Sequence, residues 1–274
     1  MDYYPIEIIP IDIIKVIINL LDTRDKILFI STNTYFLRNI YIYSVTINKN
    51  KISQNIIEQD KFKNIKYLQL HNIFNTLNMM YLSNLTYLYV RDTNICGISG
   101  LTNLKSLYTN SILKKNSITQ NDIANLSLLT HLYISFNSKI TSIMHLTNLV
   151  CLAISGIYSN IWQSTIMPLT SLTYLDIGNN TKITNLSHIP NLKYLRVNNI
   201  NQIDISKSYN LRTLNILNFS DTAQKINILH LTNLTRINAS PEFIEFNKIM
   251  LSRMTNLINI KTEYYRKEHE TWPL

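Results

Sequence analysis

Glycine is nearly missing from this chain, with 4 residues in 274, and cysteine stands at 2. So little glycine leaves no glycine-rich loop to cradle a phosphate, and neither a His-Glu-x-x-His helix nor a nucleophile elbow occurs. Cys96 and Cys151 are too few and too far apart for a disulfide framework or a zinc site of the usual spacing, so both are expected to be reduced, buried thiols. No run reaches the roughly 18 consecutive apolar residues of a membrane-spanning helix, and Met1-Asp2-Tyr3-Tyr4 lacks the basic stretch of a signal peptide. The expectation is an intracellular protein, cytoplasmic or nuclear, with no membrane partner. A formal net charge of +9 could point to nucleic acid, but the lysines are scattered and form no run or helix face, so nucleic acid is not the expected partner.

What the sequence has in plenty is Ile, Asn, Lys and Tyr, the bias of an AT-rich coding genome. It also has one phrase, Leu-x-x-Leu-x-x-Leu-x-Ile/Val/Leu, recurring over residues 62–262. Clear copies are Leu82-Ser-Asn-Leu85-Thr-Tyr-Leu88-Tyr-Val90, Leu146-Thr-Asn-Leu149-Val-Cys-Leu152-Ala-Ile154 and Leu169-Thr-Ser-Leu172-Thr-Tyr-Leu175-Asp-Ile177. Counted at the second apolar position, from Ile65 to Leu257, the phrase returns every 19 to 25 residues and makes about ten repeats. Asn-x-Ser/Thr sequons such as Asn84 and Asn233 restate Leu-x-Asn-Leu-Thr within that phrase and are expected to be unmodified.

Within Tyr87-Leu88-Tyr89-Val90-Arg91 the apolar residues alternate with period two, which predicts a short strand with one buried face. A lone strand cannot bury that face, so successive repeats must stack into a parallel sheet over one continuous core. Asn137, Asn180, Asn198 and Asn199, at strand ends, are suited to bonding backbone where the chain turns. The longer stretches 111–125 and 218–228 should lie on the outer face or edges. The period and pattern resemble the leucine-rich-repeat family, which implies an α/β solenoid with the parallel sheet on its concave face.

The first forty residues follow another rhythm. Ile9, Ile13, Ile14, Ile17, Leu20 and Leu21 fall at helical spacing, Pro10 suits a first helical position, and Asp12 complements a helix N-terminus. Thr23 and Thr34 can cap two further helices, so three short helices are predicted. The string Ile9-Pro10-Ile11-Asp12-Ile13-Ile14, continued by Ile17-Ile18, Leu21, Asp25, Ile27, Ser31 and Tyr35-Phe36, resembles the F-box. That pattern opens Leu-Pro-x-Glu, runs through paired aliphatics and ends on an aromatic. Here Ile9 replaces its Leu, Asp12 its Glu, and Asn33-Thr34 a common basic residue. The organisation expected is an F-box-like three-helix segment at 1–42, a linker and solenoid cap at 43–61, the repeats at 62–262 and a C-terminal cap or tail at 263–274.

The combination resembles F-box and leucine-rich-repeat proteins, including those of giant amoeba viruses. The resemblance implies a non-catalytic substrate receptor of a cullin RING (SCF-type) ubiquitin ligase. Its helices would meet a Skp-type adaptor through Ile9, Pro10, Ile13, Ile14, Ile17 and Leu21, and its repeats would hold a protein substrate. The alternative is a stand-alone binding scaffold whose N-terminal helices only shield the first repeat. Strand alternation places the substrate surface in columns on the concave face. One column holds Tyr67, Tyr87, His131, Tyr174 and Tyr194; the next holds Gln69, Tyr89, Tyr108, Tyr133, Asp176 and Arg196, with Arg91 beside them. No cofactor or metal is expected. His145, His188 and His230 recur on every second repeat, about 10 Å apart at ordinary strand spacing, too far to share an ion. Cys151 and His131 on adjacent strands are the only pair resembling a nucleophile and base.

Overall fold

In the computed structural model the described residues are 10–21, 25, 26, 29, 43–48, 53–73, 75–110, 118–198, 200, 203–217 and 227–262. Each repeated phrase folds the same way. Its Leu-x-x-Leu portion closes one tight turn, as in Leu85 N–H to the Leu82 carbonyl (2.9 Å) and Leu104 N–H to the Leu101 carbonyl (2.9 Å). An i to i+3 turn of this kind points both leucines to one side. The following residues extend as a strand, and in Tyr87–Arg91 burial alternates in step with the apolar residues.

Eleven strands form one parallel sheet: β1 (Ser44–Asn48), β2 (Tyr67–His71), β4 (Tyr87–Arg91), β6 (Ser106–Asn110), β7 (His131–Tyr133), β8 (Cys151–Ala153), β9 (Tyr174–Gly178), β10 (Tyr194–Val197), β11 (Thr213–Ile216), β12 (Arg236–Ala239) and β13 (Asn259–Thr262). They pair strictly in sequence order, so each repeat touches only its neighbours, as in a leucine-rich-repeat solenoid. The sheet begins one strand before the first full phrase: β1 lies inside the stretch expected to be linker and cap, and pairs with β2 from Ser44↔Tyr67 to Asn48↔His71. Leu88, Leu107, Leu132, Leu152, Leu175, Leu195 and Leu214 line the buried side in register, each 0 % exposed.

Polar side chains stitch one repeat to the next. An Asn just before the second apolar position of the phrase donates through Nδ2 to a carbonyl of the preceding repeat: Asn84 to Lys63 (3.0 Å), Asn103 to Ser83 (3.1 Å), Asn148 to Ser127 (3.0 Å), Asn210 to Pro190 (2.8 Å), Asn233 to Tyr209 (2.8 Å) and Asn256 to Thr232 (2.8 Å). The nitrogens of Asn84 and Asn233 are therefore engaged in the scaffold, which agrees with reading these sequons as repeat grammar. Thr86, Thr130 and Thr235 add hydroxyl bonds to the carbonyls of Lys66, Lys105 and Arg212, each 3.1 Å. His145, His188 and His230 each bring Nε2 to a carbonyl of the repeat before, Ile123 (3.1 Å), Ile166 (3.2 Å) and Ile205 (3.1 Å). A carbonyl can only accept, so Nε2 donates in all three.

The return side of the solenoid has its own pairing. There β3 (Leu77–Asn78) pairs with β5 (Ile95–Cys96). Where the return segment is instead a short helix, a glutamine at its first residue takes over the bridging. Gln54 of α2 (Gln54–Ile57) brackets Asn78, accepting from its N–H (2.8 Å) and donating to its carbonyl (3.1 Å). Gln120 of α3 (Gln120–Ile123) binds the Thr141 and Ser142 N–H groups (3.0 Å each) and the Ser142 carbonyl (2.9 Å). Gln163 of α4 (Gln163–Ile166) does the same at Thr184 and Asn185. Asn137 and Asn180 bond backbone at strand ends as expected: the Oδ1 of Asn137 accepts from Lys139 and Ile140, that of Asn180 from Lys182, and both Nδ2 groups reach back one repeat. Asn198 does not join this pattern, its Oδ1 being buried without a hydrogen bond, and Asn199 lies outside the described residues.

Further expectations change. Cys96 is exposed rather than buried, because it is the outward residue of the two-residue strand β5; Cys151 is half-buried, and both are free thiols. Helix α1 spans Ile11–Leu20, with Pro10 as the non-helical residue before it (φ −51°, ψ 137°) and not its first helical residue. The helices expected from Thr23 and Thr34 fall largely outside the described residues, although Asp25, Lys26 and Phe29 are helical; the expected cap at 263–274 lies outside them too. Two more short helices, α5 (Pro241–Phe246) and α6 (Lys248–Leu251), precede β13. Among the described residues, no helix is long and apolar enough to cross a membrane.

Candidate functional site

The side chains that alternate with the buried leucines all emerge on the open face of the sheet, and the parallel register fixes their columns. Tyr67 pairs with Tyr87, Tyr87 with Ser106, Ser106 with His131, His131 with Cys151, Cys151 with Tyr174, and Tyr174 with Tyr194. Gln69, Tyr89, Tyr108, Tyr133, Ala153, Asp176 and Arg196 run alongside. Every residue assigned to the substrate surface therefore occupies this one face.

Six tyrosines on it form a continuous ladder. Ring centroids are 5.2 Å apart for Tyr67 and Tyr87, 5.1 Å for Tyr87 and Tyr108, 4.3 Å for Tyr108 and Tyr133, 6.2 Å for Tyr133 and Tyr174, and 4.2 Å for Tyr174 and Tyr194. Tyr89 leans on Tyr108 (6.2 Å) and on His71 (5.1 Å), an open-face residue that the sequence reading passed over although it ends the same alternating strand. The Tyr133 to Tyr174 step skips a whole strand. It is possible because β8 offers only the small Cys151 and Ala153, over which the two rings tilt toward each other at 44°.

This packing sets the electrostatics. Burial is the first cause that raises each inner phenol: Tyr108 is pushed up to about 12, with Tyr87 adding to the effect, and Tyr133 and Tyr174 are pushed higher still. All present neutral hydroxyls at physiological pH. Asp176 is only 1 % exposed and meets the Arg196 guanidinium at 3.3 Å, so these two are a paired floor to the ladder and not free contacts. Asn215 donates to the Tyr194 hydroxyl. Arg91 faces Asp92 at 3.8 Å. Burial lowers the His131 pKa, and its Nδ1 lies 2.9 Å from the Thr130 hydroxyl.

A second surface belongs to α1. Ile13, Val16, Ile17 and Leu20 are 52 %, 59 %, 39 % and 82 % exposed, while Ile14 and Ile18, at 2 % and 5 %, join the continuous core. Of the residues assigned to the adaptor, Ile13, Ile17 and Pro10 are on the surface, and Leu21 is partly buried. Ile14 belongs to the core, because the helix must turn one face inward. Ile9 lies outside the described residues. Val16 and Leu20 complete the stripe; their i+3 and i+7 spacing from Ile13 was the signal that could have found them.

Reaction chemistry gains no support. Burial raises the Cys151 thiol, the opposite of what a nucleophile needs, and lowers His131, so both shifts disfavour transfer of the thiol proton to the imidazole. Among the described residues no three His, Cys, Asp or Glu side chains gather as metal ligands.

No protein-family model matches the chain, and no curated protein does. Solved structures do. The functional domain of InlJ from Listeria monocytogenes matches at 20 % identity and TM-score 0.49, over 80 % of this chain and 53 % of that one. An internalin, inlF, of the same organism matches at 21 % and 0.46, over 81 % of each chain. A leucine-rich-repeat protein of Leptospira interrogans matches at 17 % and 0.48, over 83 % and 73 %. This chain thus spans about half of the InlJ chain.

Proposed function

We propose that this chain is a protein-binding receptor with two separate contacts: α1 engages an adaptor and the open sheet face holds a second protein. The observation that carries the reading is the apolar stripe of Ile13, Val16, Ile17 and Leu20, left in solvent on a helix whose other face is already buried. A helix that only capped the stack would gain nothing from four exposed aliphatics, whereas a helix laid into a partner's groove anchors through residues at this spacing. With the F-box resemblance of the same segment, the adaptor is of the Skp type. The complex is then a cullin RING ubiquitin ligase, in which this chain is the non-catalytic substrate receptor.

Calorimetry of the full chain with a eukaryotic Skp-type adaptor tests this. Saturable binding is expected, and Ile13→Asp with Ile17→Asp should abolish it while leaving the melting temperature nearly unchanged, since both residues are exposed. No binding by the parent chain overturns the ligase reading. The second reading, a stand-alone scaffold with α1 as cap, is favoured by the burial of Ile14 and Ile18 in the common core. It predicts that the double variant alters nothing at all.

A further inference from the structure

The tyrosine ladder invites comparison with aromatic platforms that stack bases or sugars, but its geometry argues otherwise. Tyr174 and Tyr194 lie at 4.2 Å and 7°, and Tyr108 and Tyr133 at 4.3 Å and 16°, so these rings spend their faces on one another. What such a stack turns outward is ring edge and phenol. The edge is the positive rim of an aromatic quadrupole. The phenols stay protonated because burial raises them, so they meet a ligand as neutral O–H groups and never as anions near neutral pH.

Charge on the same face has one sign. Among the described open-face positions the only carboxylate is Asp176, which is buried against Arg196. At the C-terminal end of the sheet, Arg236 and Lys261 are exposed on the adjacent strands β12 and β13, and neither has an ion-pair partner among the described residues. Near the other end, Arg91 and His71 flank Tyr89. A ligand running across the strands therefore meets ring edges first and exposed cations last.

We infer that the open face recognises an acidic, extended polypeptide segment, with carboxylates on Arg236 and Lys261 and the remaining chain along the tyrosine edges. This rests on the reading of that face as the partner surface and adds the partner's chemistry. Nucleic acid is the disfavoured alternative: base stacking needs open ring faces, and phosphate binding needs a longer file of free cations.

The test is fluorescence anisotropy of the full chain with a labelled twelve-residue poly-glutamate peptide, alongside poly-lysine and oligo-dT of equal length. Poly-glutamate should bind, more weakly as salt rises, and Arg236→Glu with Lys261→Glu should weaken it at least tenfold. Binding of oligo-dT in preference, or a charge-reversed variant that binds poly-glutamate as the parent does, overturns the inference. The adaptor titration on the same samples keeps the two ideas apart. Adaptor binding that survives charge reversal supports independent surfaces, and its absence from the parent chain counts against the receptor reading while leaving the anisotropy result standing.

Discussion

Where the strands begin, the asparagines of the repeated phrase make one identical bond six times over; on the open face no position keeps a single residue type. The entry edge presents the same donor to the equivalent carbonyl in six copies, with Leu128 and Ser171 standing there in two others, and so helps neighbouring repeats dock in one register. The open face has no such obligation: neighbouring repeats touch there too, in the ring ladder and the Asp176–Arg196 pair, but through residue types that change from repeat to repeat. Its Tyr, Arg, Asn and Lys are therefore the part of each repeat that varies and, under the function proposed above, the part that meets a partner. Strict repetition marks the scaffold, and the proposed binding face lies where repetition relaxes.

That contrast breaks if open-face residues turn out to hold the fold. Leu152→Ala, at a fully buried site in the middle of the sheet, should cost about 2–5 kcal/mol by removing buried methyls and leaving a cavity. Tyr67→Ala should cost about 1 kcal/mol, the value of its ring pair with Tyr87 on an accessible stretch of the open face. Denaturant midpoints compare the two directly, and equal losses would mean that the ladder is structural.

Next in size is Asn180→Ala. Its side chain, 5 % exposed, serves the Lys182 N–H, the Ile161 carbonyl and the Ser159 hydroxyl. Leaving buried backbone groups unpaired should cost about 1–3 kcal/mol. Gln163→Ala, more exposed, should cost about 1 kcal/mol and show mainly as faster hydrogen exchange at Thr184 and Asn185, the N–H groups it holds. Unchanged exchange there would remove the glutamine bridge from the list of forces that join repeats.

The leucine phrase and the period-two strands were legible in the sequence because each repeat restates them, and the columns of the open face followed from alternation alone. The glutamine bridges were not legible. Gln54, Gln120 and Gln163 occur only where a helix replaces the return strand, so they obey no fixed period. The ring-on-ring order of the ladder was equally hidden, because the Tyr133 to Tyr174 step depends on two small residues of the strand between them. In α1, helical spacing identified an apolar helix but not which of its two apolar faces turns inward; Ile14 and Ile13 are adjacent in sequence and opposite in fate.

The smallest effect expected is on the pH dependence of stability, and it sharpens the comparison from both ends of the scale. Tyr108, raised to about 12 mainly by burial, holds its proton more tightly folded than the value near 10 of an unfolded tyrosine. Its contribution is whole below pH about 10 and is lost as pH rises through about 12. Tyr133 and Tyr174 act in the same direction. The melting temperature should therefore fall above pH about 10, and more gently in a Tyr108→Phe, Tyr133→Phe, Tyr174→Phe variant, which keeps the rings. Histidines have the opposite sign: burial lowers His71, His131 and His188, so their contribution is whole above pH about 6.5 and lost as pH falls below it. His71 and His131 sit on the open face and His188 in the scaffold, so His188→Asn should flatten the acid limb while leaving poly-glutamate binding unchanged. If it weakened that binding instead, the division between a repeating scaffold and a variable binding face would fail at this residue.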